Sequence, residues 1–146
     1  MSRNFLSKND ELRKGDFLIS NNKEYKAVFQ VSNSKYLCTP KFLKMHTLIA
    51  IKCLCFCLQD DGNFVIYGWK PVWASDTCGS DVFRLCMQAD CNLVMYNKAN
   101  SPKWQTNSHK PGDCNMCRLH LTNDGKLVVY KESDEIWSSA NSRGMK

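Results

Sequence analysis

Three stretches of the chain alternate apolar and polar residues with a period of two. Phe64 and Ile66, Leu93 and Met95, and Leu127 and Val129 fall on one side of that alternation. Residues two apart on a strand share a face, so these pairs are expected to point into a core and their neighbours away from it. The period argues for strands rather than helices. Asp61-Gly62 and Asp124-Gly125 stand where each strand pair has to turn, and Asp-Gly is a strong hairpin signal. The pattern therefore predicts three short β units.

The outward positions of these units repeat. Gln59, Asp61, Asn63, Val65 and Tyr67 recur as Gln88, Asp90, Asn92, Val94 and Tyr96, and a third copy reads Thr122, Asp124, Lys126, Val128 and Tyr130. Each unit runs on to a tryptophan followed by small polar residues: Trp73-Ala-Ser, Trp104-Gln-Thr and Trp137-Ser-Ser. Strand and turn requirements alone account for Val, Tyr, Asp and Gly. They leave unexplained why Gln and Asn also recur at fixed offsets. Amide, carboxylate and phenol groups around a valine suit a sugar, which has hydroxyls at its edge and C–H groups on its ring. Three units too small to bury a core singly are expected to close around a pseudo-threefold axis, with Trp73, Trp104 and Trp137 packed at its centre. Trp69 has no counterpart in the other repeats and is expected at the surface.

Composition narrows the function classes. At 146 residues the chain makes one domain with a real core. No apolar run is long enough to cross a membrane; the best, Thr47 to Leu58, holds Lys52. Much of the formal charge of +6 lies in residues 31–59, where Lys35, Lys41, Lys44 and Lys52 occur without an acid. Aromatics elsewhere are not interleaved with arginines, which argues against nucleic acid. His46, His109 and His120 adjoin no nucleophile or acid pair at usable spacing, which argues against an enzyme. The nine cysteines leave at least one unpaired. The N-terminal residues lack the apolar centre of a signal peptide, so the chain is expected either to stay in the cell or to leave by another route.

The repeated Gln-x-Asp-x-Asn-x-Val-x-Tyr with its Trp-x-Ser/Thr tail resembles the bulb-type (monocot, or lily-type) mannose-binding lectins, and most of all the lily-type lectins of fish skin mucus. The resemblance spans about residues 2–30 and 60–146. It implies an all-β fold, the β-prism II, with three pseudo-symmetric antiparallel sheets and one shallow sugar site per sheet. It implies that Gln, Asp, Asn and Tyr bind mannose hydroxyls while Val touches ring carbons. Carried over, Asp61, Asn63, Val65 and Tyr67 with a glutamine form one site, and Gln88, Asp90, Asn92, Val94 and Tyr96 form a second. The third site is degenerate. Asp124, Val128 and Tyr130 remain, but Thr122 is short and Lys126 only donates, so it is expected to be weak or silent. The family's disulfide maps onto Cys91 and Cys117, and Cys86 with Cys114 is a candidate second pair. No metal or other cofactor is implied, and the acid-rich loops of calcium-dependent lectins are absent. Mannose-bearing glycans and a homodimer formed by exchanging a C-terminal strand are the implied partners.

Residues 31–59 have no counterpart in that family. Without them Tyr25-Lys-Ala-Val-Phe-Gln30 runs straight into Asp60-Asp-Gly-Asn, which supplies Gln30 to the first motif in place of Gln59 and aligns Lys26 with Arg84 and Arg118. Val31-Ser32 can be encoded GTAAGT, an intron donor, and Cys53 to Gln59 as a pyrimidine tract ending in CAG, an acceptor. The segment reads as a translated intron within a single lectin domain spanning residues 1–146. Its alternative is a genuine insertion with Cys53, Cys55 and Cys57 as soft-metal thiolates. Leu54 to Gln59 alternates well enough to compete with Tyr25 to Gln30 as the strand entering the first hairpin.

The function expected is therefore a mannose-binding lectin of surface defence that cross-links microbial or parasite glycans. The alternative is a β-prism protein-interaction module without sugar binding. The mucus resemblance favours an extracellular location reached without a usual leader, with the cytoplasm as the alternative.

Overall fold

The computed structural model describes residues 3–29, 62–77, 79–112 and 114–143. Gln30, Gln59, Asp61 and residues 31–59 lie outside them. The described residues contain three four-stranded antiparallel sheets. The chain enters through three very short strands, β1 (Phe5–Ser7), β2 (Glu11–Arg13) and β3 (Phe17–Ile19), and each joins a different sheet. It then completes the sheets in reverse order. Strands β4 (Lys26–Phe29), β5 (Phe64–Tyr67) and β6 (Pro71–Ala74) extend from β3. Strands β7 (Val82–Met87), β8 (Leu93–Asn97) and β9 (Pro102–Gln105) extend from β2, and β10 (Cys117–Leu121), β11 (Leu127–Lys131) and β12 (Asp134–Ser138) extend from β1.

The entry strands carry a six-residue repeat that the hairpin motifs overshadow. Leu6, Leu12 and Leu18 are each buried, facing Leu119, Leu85 and Ala27 across the sheets. At the corners between them, Asn9 and Gly15 adopt positive φ, and Asp10 and Asp16 accept hydrogen bonds from the Ser7 and Arg13 amides at 3.0 and 2.8 Å. A four-residue turn closed by its last aspartate thus spaces each leucine onto the next sheet.

The inward residues meet the expectation from alternation. Phe64, Ile66, Leu93, Met95, Leu127 and Val129 all belong to one buried cluster. Trp73, Trp104 and Trp137 close the centre, one per sheet, with ring centroids 5.9 to 6.0 Å apart and every pair edge-to-face. Such contacts are worth about 0.5–1.5 kcal/mol each beyond area burial, so the triad joins three sheets that share few backbone bonds. Trp69 is exposed.

Two details of register position the outer faces. In each sheet the pairing slips one step before the motif tyrosine, at Ile66/Tyr67, Met95/Tyr96 and Val129/Tyr130. A bulge bends the strand and re-aims the residue it precedes. The first hairpin is entered by Lys26–Phe29, which pairs with β5 so that Lys26 faces Tyr67, as Arg84 faces Tyr96 and Arg118 faces Tyr130.

Candidate functional site

The second repeat shows how the motif is held. The β7–β8 loop is Ala89-Asp90-Cys91, closed by Gln88 N to Asn92 O at 2.9 Å and Cys91 N to Gln88 O at 3.2 Å. Cys91 has φ +68°, the left-handed residue that completes a three-residue hairpin loop. The third repeat turns identically through Asn123-Asp124-Gly125, with Gly125 at φ +79°. Asp-Gly there fills the last two positions of a three-residue loop rather than a two-residue turn.

On the outer face, Gln88 Nε2 donates to the Tyr96 hydroxyl at 2.5 Å, and the Asp90 carboxylate accepts from the Asn92 amide at 3.0 Å. Because the Tyr96 oxygen accepts from Gln88, its own proton is free to be donated outward. Asp90 is exposed, Gln88 and Tyr96 are half-buried, and Val94 is buried beneath them as a floor. The Arg84 guanidinium lies 5.0 Å from the Tyr96 ring centre and is itself held by Glu11 at 3.3 Å and Asn100 at 2.9 Å. Arg13 first, and then Arg84, keep the Glu11 carboxyl below its usual range.

The recurrence of asparagine has a structural cause that strand and turn requirements did not supply. Asn92 Oδ1 accepts from the Thr106 hydroxyl at 3.1 Å and the Ser108 amide at 3.2 Å; Thr106 in turn accepts from Leu93 N at 3.1 Å. Asn63 does the same with Ser75 at 3.1 Å and Thr77 N at 3.2 Å, and Phe64 N donates to Ser75 at 2.9 Å. The Trp-x-Ser/Thr tail is therefore the clamp for the residue after each asparagine, and Leu127 N donates to Ser139 at 3.0 Å to match. Gln105, which the sequence did not single out, accepts from Asn92 Nδ2 at 2.9 Å. Asn92 is left with one amide hydrogen for a ligand.

The three copies differ. In the first, Asn63, Val65 and Tyr67 stand on β5 and its approach as their counterparts do on β8, while Asp61, Gln30 and Gln59 lie outside the described residues. In the third, Lys126 Nζ sits 2.8 Å from Asp124 Oδ2, and the Thr122 hydroxyl donates to the other carboxylate oxygen. Lys126 and then Thr122 hold the Asp124 carboxyl below its usual range, and Asp124 raises Lys126. Val128 and Tyr130 keep their places on β11, but the acid that would receive a ligand is internally paired.

Cys91 and Cys117 form a disulfide, with Cα atoms 5.1 Å apart. The Cys86–Cys114 pairing does not occur. Cys86 lies on the outer face 3.1 Å from Arg84, where burial raises its thiol, whereas Cys114 is buried beside the disulfide. Cys86 stands in register with Val94 on the outer face of its sheet, whereas Cys114 is buried against the core, so the two do not meet.

Three meandering sheets around a tryptophan triad, with a polar row on each outer face, define a β-prism II carbohydrate-binding protein. None of the protein-family models matches the chain. The chain is 57% identical over 143 residues to the B-type lectin plumieribetin of Scorpaena plumieri, covering 98% of this chain and 100% of that protein. It is 36% identical over 78 residues to a mannose-specific lectin of Galanthus nivalis, covering 53% of this chain and 46% of that one. Among solved structures, the snowdrop (Galanthus nivalis) mannose-specific agglutinin complexed with methyl-α-D-mannoside superposes with a TM-score of 0.62 at 26% identity, covering 97% of this chain and 99% of that one. A monomeric mannose-binding lectin of Gastrodia elata gives 0.66 at 26% identity, covering 95% and 98%. The chain belongs to the B-type (bulb-type) lectin family. Lectins bind carbohydrate without transforming it, so this is a binding protein and not an enzyme.

Proposed function

We propose that this chain binds terminal mannose through the outer face of β7 and β8, with the first repeat as a second site and the third nearly silent. The observation that carries this is the Gln88–Tyr96 hydrogen bond of 2.5 Å beside an exposed Asp90. It presents an acceptor carboxylate, a phenol donor and an amide along one edge, over the apolar floor of Val94. In the first repeat Asn63, Val65 and Tyr67 act with Asp61 and a glutamine, Gln30 or Gln59. Relatives named as mannose-specific, and fold neighbours solved with mannosides, support the choice of sugar.

Each shallow hydrogen bond competes with water and nets about 1 kcal/mol. Single-sugar affinity is then on the order of millimolar. Useful capture needs several sites on one particle, which raises avidity by roughly a hundredfold. A homodimer displaying its sites outward meets that need, and cross-linking of microbial or parasite glycans in extracellular mucus is the role it serves.

The test is retention on immobilised mannose, with elution by mannose and by galactose, of the full chain and of Tyr96→Phe. Retention released only by mannose and weakened by Tyr96→Phe supports the reading. A chain that passes through unretained, or is released equally by galactose, refutes it and favours an interaction module.

A further inference from the structure

The sulfur atoms of Cys91, Cys114 and Cys117 all lie within 4.8 Å of one another, and all three residues are buried. Cys91 and Cys117 are bonded, and Cys114 is a free thiol that lies 3.9 Å from the Gly112 carbonyl. Cys114-Asn-Met-Cys117 is also a Cys-x-x-Cys segment, a spacing that closes readily into a disulfide. Between its two cysteines, Asn115 and Met116 are exposed, so the link can rearrange without unpacking the core.

We propose that these three sulfurs form an exchange centre in which the disulfide migrates from Cys91–Cys117 to Cys114–Cys117. When the exposed Asn115–Met116 link opens, the Cys114 thiol gives its proton to water, and the thiolate attacks the Cys117 sulfur. The new Cys114–Cys117 bond forms as Cys91–Cys117 breaks, and Cys91 leaves as a thiolate that takes up a proton. One disulfide and one thiol are present before and after, so no oxidant or reductant is needed. Burial of Cys114 keeps outside thiols away and makes the step intramolecular.

Cys91 is the left-handed residue between Asp90 and Asn92. The other two repeats place Gly62 and Gly125 there, at φ +122° and +79°, while this one uses a cysteine at +68°. Left-handed backbone is unfavourable for a non-glycine residue, and the disulfide holds it in place. Migration frees that turn, so the centre controls the shape of the second sugar site. This last link, unlike the migration, rests on the function proposed above.

The experiment holds the full chain at pH 8.5 without reductant, quenches with acid, alkylates and digests with trypsin. Cys114 and Cys117 share one tryptic peptide and Cys91 lies on another. Migration is expected to give the looped Cys114–Cys117 peptide with alkylated Cys91, alongside the cross-linked pair, and to persist in Cys86→Ser. Only the cross-link, with Cys114 alkylated, overturns it; so does loss of the loop in Cys86→Ser, which would route exchange through Cys86. Mannose at about ten times its Kd is expected to lower the ratio of looped to cross-linked form about elevenfold, with galactose inert. A loop that forms but ignores mannose removes the coupling to the sugar site and leaves the migration standing.

Discussion

The Thr106 hydroxyl donates to the Asn92 side-chain carbonyl at 3.1 Å while accepting from Leu93 N at the same distance. One buried hydroxyl thereby fixes both a strand start and the amide of a candidate site. Thr106→Ala leaves the Leu93 amide unsatisfied and takes from the Asn92 carbonyl one of its two donors, the Ser108 amide remaining, at about 1–3 kcal/mol. Chemical denaturation is expected to show that loss, with mannose titration weakened in the same variant. A stability equal to the parent's would disprove the clamp.

Tyr96→Phe separates the site from the scaffold. It removes the acceptor for Gln88 Nε2 and the outward donor while keeping the half-buried ring. One lost hydrogen bond of about 1 kcal/mol is roughly a fivefold loss in mannose affinity at the second site. The melting temperature is expected to stay near the parent's. Calorimetric titration beside thermal melting reads both.

The third repeat should gain a site when its ion pair is removed. Lys126→Asn combined with Thr122→Gln frees the Asp124 carboxylate, now 2.8 Å from Lys126, and restores the motif of the second repeat. Titration with mannose is expected to show one more site per chain than the parent. An unchanged stoichiometry would mean that the motif residues are insufficient there.

Acid sensitivity is expected through His120. Burial first, and then the Arg118 charge, hold its pKa below the ordinary value, and Asn4 Nδ2 lies 2.7 Å from its Nε2. The unfolded chain therefore binds this proton more readily than the folded one. Stability from the neutral ring is full above the ordinary imidazole pKa of about 6.5 and falls as pH drops through the folded value. Melting temperatures from pH 7.5 to 5 are expected to decline more in the parent than in His120→Gln.

Gly125→Ala tests the join between repeats. A methyl group there would run into the Tyr25 ring, in a left-handed backbone. A loss of about 1–3 kcal/mol by denaturation is expected; a neutral result would show that Tyr25 yields freely.

The sequence by itself determined the strands, their inward residues and the three-part plan, because period-two alternation is a local signal that burial then enforces. It located Trp73, Trp104 and Trp137 at the centre because one tryptophan per repeat has nowhere else to meet its equivalents. The outer row was legible as a row. Its division of labour was not. That Asn92 is half scaffold, that Gln105 completes it, and that Lys126 closes the third acid depend on residues 10 or more positions away or on side-chain reach. The Cys91, Cys114 and Cys117 cluster needed the folded sheets, since strand parity sends Cys86 outward while the prism brings Cys114 to the disulfide. Spacing along a chain states which residues can share a face; only packing states which of them touch.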